Sequence, residues 1–360
     1  MLLSPTLEQI LDLARWAPSG DNTQPWRFEI IGPARIVVHG FDTRDRCVYD
    51  LTGHPSQISI GALLETMRIA ASVHGQRVSV ERRRNLPDSK PTFDIEFTSD
   101  PGIHPDPLAA FIRQRSVQRR AMSRRALSKT EKQALETSVG PGYDVVWMEG
   151  FSKRLEMARL MFANARLRLT MPEAYRVHKD VIEWNAQYSE DRIPDQALGA
   201  DPMTVRAMRF VMHSWSRVKF FNRFLAGTWM PRITMDFIPG LACGAHFLVK
   251  ARDIPQTVDD FVDAGRAVQR FWLTATHLGL VKQPEMTPLI FSGYVRAGTP
   301  FTQVEQLKHE ARALQVRLEQ VVGPDWPRAV WMGRIGAGAQ ATSRSTRLPL
   351  QRLIVPTSKS

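Results

Sequence analysis

Apolar residues alternate with polar ones in short bursts along the first hundred positions, and between the bursts they recur every three or four residues. In "PTLEQILDLAR" the residues Leu7, Ile10, Leu11 and Ala14 share one face, which predicts a short amphipathic helix with Thr6 and Gln9 placed to form a capping box. "RFEIIG" and "ARIVVHG" read as strands, "SQISIGALLETMRIAASVHG" as a long helix, and "RVSVERR" and "TFDIEFTSD" as two further strands. The proline-rich "DPGIHPDP" at 100–107 then breaks the pattern and predicts a boundary. Past it Ser128 and Glu131 form a capping-box pair, "YDVVWMEG" reads as a strand, and a helix is expected at about 152–169. The strand "CGAHFLVKA" and the helix "TVDDFVDAGRAVQRFWLTATHLGL" continue the second series.

The stretch at about 170–235 departs from this rhythm. "EWNAQYSEDRIPDQALG" is polar and turn-prone, whereas "DPMTVRAMRFVMHSWSRVKFFNRFLAGTWMPR" is helical, basic and aromatic. Trp215, Phe220, Phe221, Phe224 and Trp229 are expected to pack on the main core. The competing readings are a cover over a ligand pocket, or a helix that meets a membrane surface or a partner. A second regularity links the halves: Gly61 and Gly75 lie 14 positions apart with Ala71 between them, and Gly265, Ala275 and Gly279 repeat that spacing. Both long helices thus end at a glycine, which suggests a weak internal duplication.

Composition narrows the function classes. Of the 360 residues 43% are hydrophobic and 9% aromatic, enough to bury a sizeable core in one large domain or two ordinary ones. Only two cysteines, Cys47 and Cys243, are present, which argues against a disulfide framework and for a reducing compartment. The start "MLLSPTLEQ" has no signal-peptide pattern and no apolar run is long enough to span a membrane, so a soluble cytoplasmic protein is expected. Lys and Arg exceed Asp and Glu by 48 to 36, a sign that suits phosphate, nucleic acid or anionic lipid equally. No helix-turn-helix, finger or RNP stretch accompanies the arginines, so no nucleic-acid partner is expected.

Familiar catalytic patterns are missing from the sequence: there is no HExxH, no GxSxG and no Walker lysine loop, and neither a metal site nor a catalytic nucleophile is expected. "GRIGAG" at 333–338 has no room after it for a Rossmann unit. Three polar segments remain: the turn at 18–25, the arginine-serine stretch "RQRSVQRRAMSRR" at 113–125, and "SRSTRLP" near the end.

A helix followed by "APSGDNTQPWRF" resembles the nitroreductase family of flavoproteins, whose members carry APSxxNxQPW after a helix. Family members usually begin with a segment of the form RRSVRxF; here that segment is absent from the start and "RQRSVQRRAMSRRALSKTEKQALE" resembles it at 113–136, where the following turn has lost the asparagine-glutamine motif. The resemblance implies an α+β nitroreductase-like fold of two related halves, residues 1–105 and 106–355. Each would hold a mixed antiparallel sheet flanked by helices, with a helical insertion at about 170–235 in the second. Such proteins are usually homodimers with flavin mononucleotide between subunits, so this chain would be a fused pseudo-dimer, as a monomer or dimerised further, with one surviving flavin site.

Carried onto this sequence, the resemblance assigns Arg115, Ser116 and Arg119 to the flavin phosphate, with Arg344 and Arg347 approaching from the terminal segment and Arg113 replacing a basic residue where glutamine stands. Guanidinium groups suit a phosphate dianion because they bind it in bidentate fashion. Pro18, Ser19, Gly20 and Asn22 would face the flavin edge while Gln24, Pro25 and Trp26 hold the turn, Trp26 as a core residue. Asn164 and Arg168 would reach the pyrimidine side, and "KQPEMT", with Gln283, Glu285 and Met286, would supply the backbone N–H to the flavin N5, Pro284 lacking one. The implied activity is hydride passage from NADH or NADPH through FMN to a nitroaromatic, quinone or activated alkene. The alternative is a flavin-binding storage or sensing protein with little turnover, its site closed by the insertion.

Overall fold

The computed structural model describes residues 3–224 and 227–356. Two sheets organise them into an α+β architecture. The strands are β1 Trp26–Gly32, β2 Arg35–Gly40, β3 Gln76–Arg82, β4 Thr92–Ser99 and β5 Tyr143–Met148, followed by three two-residue strands, β6 Ile182–Glu183, β7 Tyr188–Ser189 and β8 Ile193–Pro194. Then come β9 Ala245–Ala251, β10 Leu280–Pro284, β11 Ala329–Ala337, β12 Arg344–Ser345 and β13 Ile354–Val355. The front sheet has the order β13-β1-β2-β4-β3 and the back sheet β10-β11-β9-β5. Within these two sheets every pair is antiparallel except that β13 lies parallel to β1, Ile354 opposite Phe28; the small pairs β12–β7 and β6–β8 are parallel.

β11 and the helices Thr287–Ala297 and Glu305–Val322 are not anticipated from the sequence, but the elements that periodicity predicts form near their expected positions, with one change at the first helix. It spans Pro5–Ala14, two positions earlier than a Thr6–Gln9 capping box would put it: Ser4 is the cap, its Oγ accepting the Leu7 N–H at 3.3 Å. Pro5 explains the shift, since its fixed φ suits the first helical position, where no N–H is required. The predicted box at Ser128–Glu131 forms, and Thr257–Asp260 forms another ahead of the second long helix.

Those long helices, His54–Ser72 and Val258–His277, cross between the sheets. At the crossing a Cβ on Gly61 would lie 1.8 Å from the Val262 carbonyl oxygen, and one on Gly265 would lie 2.0 Å from that of Ile58. The contact is reciprocal and leaves room for hydrogen alone at both positions. Gln269 Nε2 donates to Thr66 Oγ1 at 2.8 Å along the same seam. Gly75 and Gly279, which stop the two helices, have φ of 61° and 69°, the left-handed region that favours glycine. Trp26 is fully buried in the front core among Leu11, Phe28 and Leu63.

The insertion contains the helices Pro172–Val181, Pro202–Val211 and Trp215–Phe224. Core packing of its aromatics holds only in part. Trp215 packs on Tyr175 with ring centroids 5.3 Å apart, while Phe220, Phe224 and Trp229 are exposed. The helical pair has one partner surface rather than two, so its other face meets solvent.

Candidate functional site

A cavity of about 320 Å³ opens where the helix crossing meets the back sheet, within the ~300–1,000 Å³ of small-molecule sites. Ile58, Ser59 and Ala62 from the first long helix and Val268 and Trp272 from the second line it, together with Trp331 of β11. Its polar wall begins at the turn that follows the first helix, where Pro18, Ser19, Gly20, Asp21 and Asn22 face the space. That turn is strained: Asp21, Asn22 and Gln24 all have positive φ, 49°, 60° and 47°, at a cost of roughly 1–2 kcal/mol each for non-glycine residues.

Hydrogen bonds hold the strain. Gln24, wholly buried, donates from Nε2 to the Glu190 carbonyl at 2.8 Å and accepts the Leu348 N–H at 2.9 Å, and its own N–H donates to Ser19 Oγ at 3.0 Å. Asn22 spends its Nδ2 on the Glu190 and Arg192 carbonyls, so the insertion and the terminal segment are both pinned to the turn. Of its amide only Oδ1 is left without a partner.

Opposite the turn stands a cluster of arginines. Arg115 is buried, donates to the Trp16 carbonyl at 3.0 Å, lies 4.4 Å above the Trp272 ring, and has an Nε with no partner. Arg347 is buried and donates to the Ala17 carbonyl at 2.9 Å, while Arg344 lies 5.2 Å from the Trp16 ring centroid. Among the described residues no carboxylate pairs with any of the three. Burial, and then mutual repulsion with Arg347 and Arg344, pushes Arg115 well below the usual guanidinium range; burial and Arg344 bring Arg347 down to about 9. Three cations crowded without a counter-ion make an electropositive corner suited to an anion. Ser116 lines the same wall.

Arg119 lines the cavity further along and donates to the Ala197 carbonyl at 3.0 Å; burial lowers it to about 10, with Asp21 opposing the shift. At the far end the charges are balanced. Arg168 pairs with Asp236 at 3.0 Å. Glu285, wholly buried, accepts from His246 Nδ1 at 2.8 Å and from Arg334 Nη1 at 2.9 Å. His246 Nε2 faces the Gly240 carbonyl at 2.8 Å, so both ring nitrogens donate and the ring is an imidazolium. Burial opposes that charge, yet Glu285 outweighs it and raises His246 to about 10. Burial likewise opposes ionisation of Glu285, and His246 and Arg334 together hold its carboxyl below the usual range.

Thirteen of the fifteen residues assigned from the sequence line this one cavity, Gln283 and Met286 included. Arg113 does not: it is exposed and paired with Asp12 on the first helix, because its side chain points away from the wall that Arg115 faces. Asn164 is buried behind the lining and donates to Thr287 Oγ1 at 2.6 Å, with its Oδ1 unpartnered. The Glu285 N–H is taken by the Met332 carbonyl at 2.8 Å, which leaves Met286 as the backbone donor of that pair. Sequence reasoning missed Asp21, Asp236, His246 and Arg334, and also Lys282. The last is buried with Nζ 3.3 Å from the Trp331 and 3.7 Å from the Trp272 ring centroid, unpartnered, and far below its usual pKa through burial and Arg115. A lone lysine in an apolar strand was the only sign of it.

A family model described as the Nitroreductase family matches residues 4–126, the segment that carries both the turn and Arg115. The uncharacterized protein MT1398 of Mycobacterium tuberculosis is 24% identical over 327 residues, covering 89% of this chain and 44% of that protein. A putative NAD(P)H nitroreductase, acg, of the same organism is 32% identical over 100 residues, 27% of this chain and 29% of the relative. The chain thus spans less than half the length of these curated relatives. Among solved structures, a nitroreductase-like family protein from Bacillus cereus aligns over 69% of this chain and 94% of that one at 12% identity with a TM-score of 0.34. The FMN-dependent nitroreductase NfnB from Mycobacterium smegmatis, in complex with NADPH, aligns over 68% and 96% at 12% identity with a TM-score of 0.36.

Proposed function

Taking residues 4–126 as a nitroreductase-family segment, we propose that the protein is an FMN-dependent oxidoreductase that passes hydride from NADH or NADPH to a small electron-poor acceptor, a nitroaromatic, quinone or activated alkene. The observation that carries the reading is the corner formed by Arg115, Arg344 and Arg347, which lacks an acidic partner and shares one cavity with the Pro18–Asn22 turn. The donor set fits the cofactor: the unpartnered Arg115 Nε and the Ser116 hydroxyl suit a phosphate ester, and Trp272 and Trp331 supply apolar walls for a flat ring system.

When bound, the flavin supplies hydride transfer in two half-reactions. The chain's own residues position and polarise. Arg115, Arg344, Arg347 and Ser116 would hold the phosphate. Arg119 would offer positive charge, and Arg168, paired with Asp236, its remaining N–H groups, to the negative charge that flavin reduction brings. The ion network around Glu285 fixes the strand end that presents Met286, and the segment bonded to Asn22 and Gln24 narrows the approach of water.

We further read residues 1–105 and 106–355 as two related halves, the second interrupted by the insertion at about 170–235, forming a pseudo-dimer in one chain. The reciprocal Gly61–Gly265 contact and the terminal strand on the front sheet support this reading. A second reading, flavin storage or sensing without turnover, draws on the lid-like bonds from the Glu190 and Arg192 carbonyls to the turn.

Titration of the purified protein with FMN, followed by flavin absorbance, tests the proposal: saturable binding is expected, with riboflavin weaker because it lacks the phosphate. No binding overturns it. Anaerobic addition of NADPH then separates the two readings, since bleaching supports the oxidoreductase and a persistent yellow colour supports storage.

A further inference from the structure

The helical pair of the insertion presents a surface that the cavity does not use. We propose that Pro202–Val211, Trp215–Phe224 and the short helix Trp229–Pro231 form a docking face for an anionic phospholipid bilayer. No Asp or Glu occurs between Pro202 and Met235. Over the same span Arg206, Arg217, Lys219 and Arg223 stand at the surface, and none of them is in an ion pair among the described residues.

Between these cations lie rings that face solvent. Phe224 is 64% exposed and Met203 78%. Phe210 of one helix meets Phe221 of the other at 6.2 Å, and Phe220 lies 5.2 Å from Phe224, so the rings form one aromatic cluster across both helices. Arg217 lies 4.4 Å above Phe210 and Arg223 lies 5.4 Å from the ring of Phe224, placing guanidinium groups at the rim of an apolar centre.

A basic rim around exposed aromatic and methionine side chains is the arrangement by which interfacial helices lie in the headgroup layer, rings down and cations among the lipid phosphates. Charge selects the occupant. A second copy of this face would bring unpaired cations against unpaired cations, which disfavours self-association, whereas an anionic leaflet supplies the missing negative charge. No described helix is long and apolar enough to cross a membrane, so the contact is peripheral.

The test is co-sedimentation of the full-length protein with vesicles of phosphatidylcholine alone or mixed in equal parts with phosphatidylglycerol, at low and at high salt. Expected are binding to the mixed vesicles at least ~10-fold stronger than to the neutral ones and its loss at high salt. Arg206→Gln/Lys219→Gln/Arg223→Gln should weaken it by roughly fivefold per cation removed. Phe220→Ser/Phe224→Ser should weaken it by at least ~10-fold. Both variants change exposed side chains and should keep the wild-type unfolding midpoint. Equal binding to both vesicle types, no binding at low salt, or binding indifferent to both variants would overturn the proposal. So would a solution dimer abolished by the phenylalanine variant, or nucleic acid that the face binds more tightly than the mixed vesicles.

Discussion

The two ends of the cavity handle buried charge in opposite ways. Around Glu285 every strong charge has a partner: one carboxylate lies between an imidazolium and a guanidinium, each within 3 Å. Around Arg115 three guanidinium groups meet backbone carbonyls and aromatic rings and, among the described residues, no carboxylate. Both are costly to desolvate, but only the first is repaid within the fold. A balanced network holds a strand end in place; an unbalanced one is completed by something that arrives.

Removing the carboxylate should give the largest effect. Glu285→Ala leaves the buried Arg334 charge uncompensated and removes what holds His246 protonated, and urea unfolding should show a loss of about 3–5 kcal/mol; a loss below about 1 kcal/mol would mean that the network does not brace the strand. The opposite corner should respond differently. Arg344→Ala is expected to change stability by no more than about 0.5 kcal/mol while weakening FMN binding by ~10–100-fold and leaving riboflavin unaffected. Equal loss for FMN and riboflavin would place Arg344 away from the phosphate.

Titration sharpens the contrast. His246, raised in the fold to about 10 from its ordinary 6.5, contributes stability that is fully present below the ordinary value. That stability is lost as pH rises through about 10, and the corresponding alkaline decline should be absent from His246→Gln. His178, lowered to about 3 by burial and then Arg168, acts in the other sense, and its contribution falls away as pH drops from 6.5 towards 3. The smallest effect belongs to the anion itself: inorganic phosphate at its own dissociation constant should stabilise the wild type by about 0.4 kcal/mol and fail to stabilise Arg344→Ala/Arg347→Ala.

The sequence carried the strong periodicities, and so β1–β4 and both central helices stand where alternation and 3.6-residue spacing put them, whereas β11 reads as a glycine-rich run and is not anticipated. The turn at 18–22 and the arginines near 115 and 345 were legible as local motifs, and the structure brings them to one cavity. Local geometry was less legible. Arg113 and Arg115 differ by two positions and are chemically identical, yet Asp12 on a different element pairs with one of them alone. Asp21 occupies an unspecified position of the motif, and only its left-handed backbone reveals the constraint on it. The two-residue strand β13 has too few positions to show a pattern. Phe220 and Phe224 are apolar residues whose exposure depends on having no neighbour, which a periodicity does not report.

The parallel pairing of Ile354 with Phe28 also bears on synthesis. During synthesis the edge beside Phe28 stays unfilled until residues 354–355 have emerged, after every other strand of both sheets. Closure of the front sheet, and with it the seating of Arg347 against the Ala17 carbonyl, therefore joins two segments more than 300 positions apart.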